Sequence, residues 1–259
     1  MNSGSIQAKI RREIGKGIRK LLAPKGVREL PAEWPADFSE FTRNLCRSVA
    51  DYTMTSKQRI ANIEASIRYI CEHRIGGDFV ECGVAGGGSI MAMAFTLLDI
   101  GMTDRHLWLY DTFEGMPEPG EHDIGRHGTA AIGKYRQWRK GDVSGWINIP
   151  LETVKRNVAR TGYPDDRLHF VPGKVEETLP REAPDKVALL RLDTDWYEST
   201  KVEMDVLFER LAEGGLIIID DYYRWQGSRK AVDDYIHDNA IRIFWSRIDD
   251  HSVIGVKHR

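Results

Sequence analysis

From residue 78 to residue 221, short runs of apolar and β-branched residues alternate with stretches whose apolar positions recur every three or four residues. That alternation is the signature of parallel strands joined by crossover helices. The runs Asp78 to Val84, His106 to Thr112, Leu168 to Pro172, Val187 to Thr194 and Leu216 to Asp221 read as five strands, nearly apolar throughout and therefore covered on both faces. Two further runs, Ile241 to Ser246 and Ser252 to Lys257, read as a closing hairpin. Between Ser56 and Glu72, Ile60, Ile63, Ile67 and Ile70 line one face of a helix that Gly76-Gly77 ends. Ser199 to Ala212 reads as a second helix, opened by Ser and Thr and closed by Gly214-Gly215. The predicted fold is α/β: a Rossmann-like, mostly parallel seven-stranded sheet with helices on both faces.

Two segments stand outside this rhythm. In residues 1–28, Ile6, Ile10, Ile14, Ile18 and Leu22 recur every four positions among lysines and arginines, which predicts a cationic amphipathic helix. Packing on its own body or on a second subunit is one reading of it; peripheral contact with an anionic membrane through residues 5–22 is the other. A connector, Leu30 to Pro35, follows, so the predicted organisation is an N-terminal helical extension over 1–50 and one domain over 51–259. The second segment, Glu114 to Asn148, is glycine-rich and long enough to read as an irregular lid, about 114–148.

Composition narrows the class. Of 259 residues, 41% are hydrophobic and 29% charged, the balance of a globular domain, and a net charge of -2 gives no case for nucleic-acid binding. No apolar run reaches the roughly 20 residues a transmembrane helix needs. Three cysteines without ligand spacing and a start lacking an apolar leader point to the cytoplasm.

The chemistry is expected where strands end, because ligands of open α/β sheets lie beyond the carboxyl ends. The first strand runs into Gly83-Val84-Ala85-Gly86-Gly87-Gly88-Ser89, which offers bare backbone to a ligand without the G-x-G-x-x-G spacing of a dinucleotide site. Asp111 closes the second strand, at the position that accepts from ribose hydroxyls or caps a helix. The fourth and fifth end in Asp193-Thr194-Asp195 and Asp220-Asp221. Carboxylates this close repel, and a hard cation such as Mg²⁺ relieves the repulsion. Asp193 and Asp220 read as metal ligands, Asp195 as a solvated loop acid. His122 and His127 in the lid are candidates to act as an auxiliary base or to position a substrate, and Trp196, Tyr197, Tyr222 and Trp225 near the acidic rim are candidates to hold one by stacking.

Several ordered segments resemble the macrocin O-methyltransferase family: Tyr52-Thr53-Met54-Thr55-Ser56, Asp78-Phe79-Val80-Glu81-Cys82-Gly83-Val84, Tyr110-Asp111-Thr112-Phe113-Glu114-Gly115-Met116-Pro117, Leu192-Asp193-Thr194-Asp195-Trp196-Tyr197-Glu198-Ser199-Thr200 and Gly214 to Tyr222. The resemblance runs from about Tyr52 to the C-terminus and implies a class I methyltransferase that moves a methyl group from S-adenosylmethionine to a sugar hydroxyl of a glycosylated natural product or saccharide. It implies that Glu81, Gly83 and Ser89 line the methionine part, that Asp111 binds the ribose, and that Thr53, Met54, Val84, Thr112, Gly173, Val175 and Asp193 complete the cofactor pocket. It further implies Asp193, Asp220 and Asp221 as ligands of Mg²⁺ or another divalent cation, Asp193 as general base, and a homo-oligomer, a dimer being the simplest. One departure is Lys174-Val175 after Gly173, where family members carry an aromatic pair. Two other classes fit the rim less well: a nicotinamide-dependent oxidoreductase, which needs phosphate-spaced glycines, and a non-catalytic metal-bound scaffold.

Overall fold

The computed structural model describes residues 34–141 and 143–258, so the cationic segment expected over 1–28 lies outside the described residues. Residues 34–38 form a turn in which the Phe38 N–H donates to the Pro35 carbonyl and the Trp34 and Phe38 rings lie 6.1 Å apart. A compact unit runs from Ser39 to the C-terminus.

Its seven-stranded sheet has the order β5-β2-β1-β6-β7-β9-β8, with β1 Asp78–Cys82, β2 Leu107–Asp111, β5 Leu168–Pro172, β6 Val187–Leu192, β7 Leu211–Ile219, β8 Trp245–Arg247 and β9 Val253–Val256. The five strands from β5 to β7 run parallel; β9 is antiparallel to β7 and to β8. All five carboxyl ends therefore meet at one rim. The strand order reverses between β1 and β6, and there the crevice opens.

The helices are α1 Glu40–Val49, α2 Lys57–Glu72, α3 Gly88–Asp99, α4 Ala131–Trp138, α5 Leu151–Ala159, α6 Val175–Thr178, α7 Tyr197–Glu203 and α8 Gln226–Asp238. Ser39 and Ser56 cap α1 and α2 through their side chains, and α1 packs on α2 and α3 within the same unit. Alternation along the strands gives each face its own core. Val80, Cys82, Leu190, Leu192, Ile217 and Ile219 meet Met204, Leu207 and Phe208 on one face. Glu81 and Arg191, which stand opposite one another in the β1–β6 register, share the other face.

Three expectations change in detail. The helix expected over Ser199–Ala212 starts at Tyr197, passes into a π-helical turn over Met204–Phe208 and ends before Leu211, where β7 begins. Gly214-Gly215 does not stop a helix; it lies inside β7, where the pairing with β6 slips register and Gly214 adopts φ +76°. The segment 114–148, expected to be irregular, contains α4 and a ribbon of β3 Arg139–Lys140 with β4 Val143–Ser144. Among the described residues no helix is long and apolar enough to cross a membrane.

Candidate active site

At the crevice lies a cavity of about 1280 Å³, and its walls come from the strand ends and the lid. Glu81, Gly83, Val84 and Ser89 line it from β1 and α3, Asp111 and Thr112 from β2, Gly173 and Val175 beyond β5, Asp193 and Asp195 beyond β6, and Asp220 and Asp221 beyond β7. Thr53 and Met54 close one side, and Lys134, Trp138 and Trp146 come from the lid. Every residue expected to touch a cofactor thus reaches one cavity.

The glycine turn is bare for a reason the sequence did not display. A Cβ on Gly83, at φ +85°, would sit 2.1 Å from the Asp193 carbonyl oxygen, so its absence lets the β1 and β6 tips touch. One on Gly86 would lie 2.5 Å from the Tyr52 carbonyl, so the residues around Tyr52 strap directly across the turn. Asp111 joins the two candidate roles: its carboxylate accepts the N–H groups of Val84 at 2.7 Å, Ala85 at 3.1 Å and Phe113 at 2.7 Å, binding the first two tips together. Carboxylate oxygens offer about four lone-pair sites, so acceptor capacity remains.

Beneath the rim is a buried ionic cluster. Arg191 is 1% exposed and donates to Glu81, to Asp193 at 2.8 Å, to Thr55 Oγ1 at 3.1 Å and to Asp220. Arg59 holds the other Asp220 oxygen and pairs with Asp249 at 2.7 Å. Burial pushes the Glu81 carboxyl up to about 7 against the pull of Arg191, and its Oε2 has no partner.

Above that cluster, Asp193, Asp195 and Asp221 each place a carboxylate oxygen within 4.8 Å of the others. Asp195 was expected to be solvated; instead it turns in at φ +70° and brings its carboxylate beside those of Asp193 and Asp221. Burial, then the neighbouring acids, holds Asp193 and Asp221 well above the usual carboxylate range, and Asp195 rises to about 6. Asp220, expected alongside Asp193 and Asp221, has both oxygens on guanidinium groups.

The residues expected to hold a substrate divide. Trp225 lines the cavity with Trp146 and Trp138, the last 50% exposed. Trp196 is buried behind them, 5.0 Å from the Trp225 ring, with its indole N–H on the Pro117 carbonyl. Tyr197 and Tyr222 turn away to Asp234 and Asp233, His122 packs against the Tyr197 ring, and His127 meets Arg126. None of these five lines the cavity. His251 does, held in the β8–β9 turn where its N–H meets Asp249; a lone histidine between two short strands carries no signal in the sequence.

The family model of the macrocin O-methyltransferases matches residues 28–257, beginning upstream of Tyr52. The chain is 38% identical over 186 residues, 71% of its length and 67% of the relative's, to the 8-demethyl-8-(2,3-dimethoxy-alpha-L-rhamnosyl)-tetracenomycin-C 4'-O-methyltransferase of Streptomyces olivaceus. It is 31% identical to the demethyldecarbamoylnovobiocin O-methyltransferase of Streptomyces niveus, over 85% of this chain and 80% of that one. The structure of the O-methyltransferase NovP superposes with a TM-score of 0.71 at 30% identity, covering 80% of this chain and 83% of that one. The chain belongs to the macrocin O-methyltransferase family and is an O-methyltransferase.

Proposed function

We propose that this enzyme transfers the methyl group of S-adenosylmethionine to a sugar hydroxyl on a glycosylated small molecule, beside a divalent cation held by the acids of the β6 and β7 tips. The observation that carries the reading is the placement of three carboxylates within 4.8 Å of one another on the wall of the same cavity as the glycine turn and Asp111. A sugar acceptor accords with the rhamnosyl compound in one relative's name.

The residues present fit both groups. The cavity exceeds the roughly 300–1,000 Å³ of a typical ligand pocket, leaving room for donor and acceptor together. Asp111 retains a lone-pair site for a ribose hydroxyl, and the unpartnered Glu81 Oε2 is an acceptor for an ammonium group. The clustered acids, raised by burial and mutual repulsion, lower their energy by gaining a cation. Asp193, Asp195 and Asp221 are the ligands this arrangement favours; Asp220 would join them only by releasing an arginine. A divalent cation bound there would supply Lewis acidity, making a neighbouring hydroxyl easier to deprotonate.

The chain's own residues do the rest. A sugar hydroxyl holds its proton at neutral pH, so an acceptor for that proton is required. Asp193 is partly open to the cavity, and burial has made it a stronger base than a free aspartate. Holding both reactants at one rim supplies the proximity contribution. Trp138, Trp146 and Trp225 offer aromatic surface to the acceptor.

Calorimetry with S-adenosylhomocysteine, NADH and MgCl₂ is the test. The expected result is binding of S-adenosylhomocysteine and of Mg²⁺, and none of NADH. Full methyl transfer by both Asp193→Ala and Asp221→Ala would overturn the metal-assisted mechanism while leaving the donor in place.

A further inference from the structure

The lid segment 117–126 is tied to both acid-bearing tips and not merely laid over them. At the β6 tip, the Pro117 carbonyl accepts the Trp196 indole N–H at 3.1 Å and Asp123 Oδ1 accepts the Tyr197 backbone N–H at 2.8 Å. At the β7 tip, the Arg126 N–H donates to the Arg224 carbonyl at 2.9 Å and the Gln226 N–H to the Ile124 carbonyl at 2.8 Å. Asp123 is the keystone. It is 1% exposed, lies outside the cavity lining, and closes its own turn through the Gly120 N–H at 2.6 Å. The first residue of α7 has no cap from its own neighbourhood, so this carboxylate, 74 residues upstream, supplies one. Room for it is specific: a Cβ on Gly227 would stand 2.1 Å from Asp123 Oδ1.

We infer that Asp123 is a positioning residue, clamping the lid to both tips so that their acids hold the spacing methyl transfer requires. Asp195 lies two residues before the capped N–H, and Asp221 lies in the turn held by Ile124 and Arg126. Releasing the clamp frees both tips at once, so lid order and cation affinity are thermodynamically linked. This rests on the reading of the tips as the metal-bearing side of the methyl-transfer site.

The test uses the full chain and needs no sugar acceptor. Asp123→Ala, Asp123→Asn and Gly227→Ala are compared with the parent by hydrogen–deuterium exchange, by Mn²⁺ titration followed by electron paramagnetic resonance, and by S-adenosylhomocysteine calorimetry. For Asp123→Ala the expected result is amide exchange about tenfold faster in peptides covering 117–126, 194–200 and 221–226, with Mn²⁺ affinity about tenfold weaker, a factor worth ~1.4 kcal/mol. S-adenosylhomocysteine affinity stays within twofold. Asp123→Asn keeps an acceptor for Tyr197 and restores part of the Mn²⁺ affinity; Gly227→Ala, which leaves the carboxylate in the sequence, reproduces the alanine effect. Faster exchange in the lid alone, or in every peptide in step with a lower Tm, overturns the clamp. A parent protein that binds neither S-adenosylhomocysteine nor Mn²⁺ overturns the methyltransferase reading instead, and the exchange pattern still decides on the clamp.

Discussion

Replacing Arg191 with Met tests whether the buried ionic cluster behaves as its geometry requires. The guanidinium is the cation nearest Glu81, whereas Asp220 keeps Arg59 and Asp193 keeps an edge to solvent. Glu81 therefore carries a pH-dependent part of the loss. With Arg191 present its carboxyl titrates at about 7, well above the ordinary ~4.3 of a glutamate in an unfolded chain. A raised value means the folded state holds the proton more tightly. The stability this gives is complete below about pH 4.3 and is lost as pH rises towards 7. Without the guanidinium the carboxyl rises further, so in the variant stability goes on falling above pH 7 at about 1.4 kcal/mol per pH unit. At pH 5.5 both proteins bury a neutral Glu81, and the variant loses the hydrogen bonds that Arg191 donates, about 1 kcal/mol each. At pH 9 it has an uncompensated buried charge as well, and the loss grows by about a further 3 kcal/mol. Urea unfolding in EDTA at the two pH values measures the difference. A loss that is equal at both, or below 1 kcal/mol at pH 9, refutes the assignment of Arg191 as the counter-charge of Glu81.

Other consequences are as direct. Gly83→Ala forces a side chain into left-handed backbone and onto the Asp193 carbonyl, so it should cost about 2–5 kcal/mol in chemical denaturation and weaken S-adenosylhomocysteine binding in calorimetry. Arg167 can only donate, so the His106 Nε2 it meets at 2.8 Å carries no proton, and the Nδ1 proton goes to His169 Nε2 at 2.6 Å. Burial and this neighbour lower the His169 value. Its contribution to stability is present above about pH 6.5 and lost as pH falls below it, and thermal unfolding of His169→Phe should show a flatter slope between pH 7 and pH 5 than the parent. Trp138→Ala, at the exposed edge of the cavity, should raise KM for a sugar acceptor about 2–10-fold in steady-state assays and leave S-adenosylhomocysteine affinity unchanged.

Strand periods and strand-end residues were the legible part of this chain. Five apolar runs gave the parallel sheet because strands covered on both faces must be apolar throughout, and the residues that close them pointed to Asp111, Asp193 and Asp220, while Glu81 and Asp221 came with the family resemblance; the topology brings all five to one cavity. What stayed hidden depends on contacts between segments distant in sequence. Asp195 looks like a loop acid until its left-handed backbone turns it towards Asp221. Asp220 reads as a ligand until Arg59, 161 positions away, and Arg191 take its oxygens. Arg191 itself sits in an apolar run and carries no motif; a charged residue facing Glu81 across the β1–β6 register was the available clue. Trp196 and Tyr222 were near the rim in sequence, but side-chain direction sent one into the core and the other to Asp233. Gly214-Gly215 imitated a helix stop because a bulge inside a strand calls for the same residue type.

The most direct measurement is a crystal of the protein grown with S-adenosylhomocysteine and Mn²⁺, read by anomalous scattering at the manganese edge. The expected result is one strong peak ligated by Asp193 and Asp221, on the wall of the cavity that holds the nucleoside against Asp111. A peak anywhere else, or S-adenosylhomocysteine bound outside that cavity, would contradict the site.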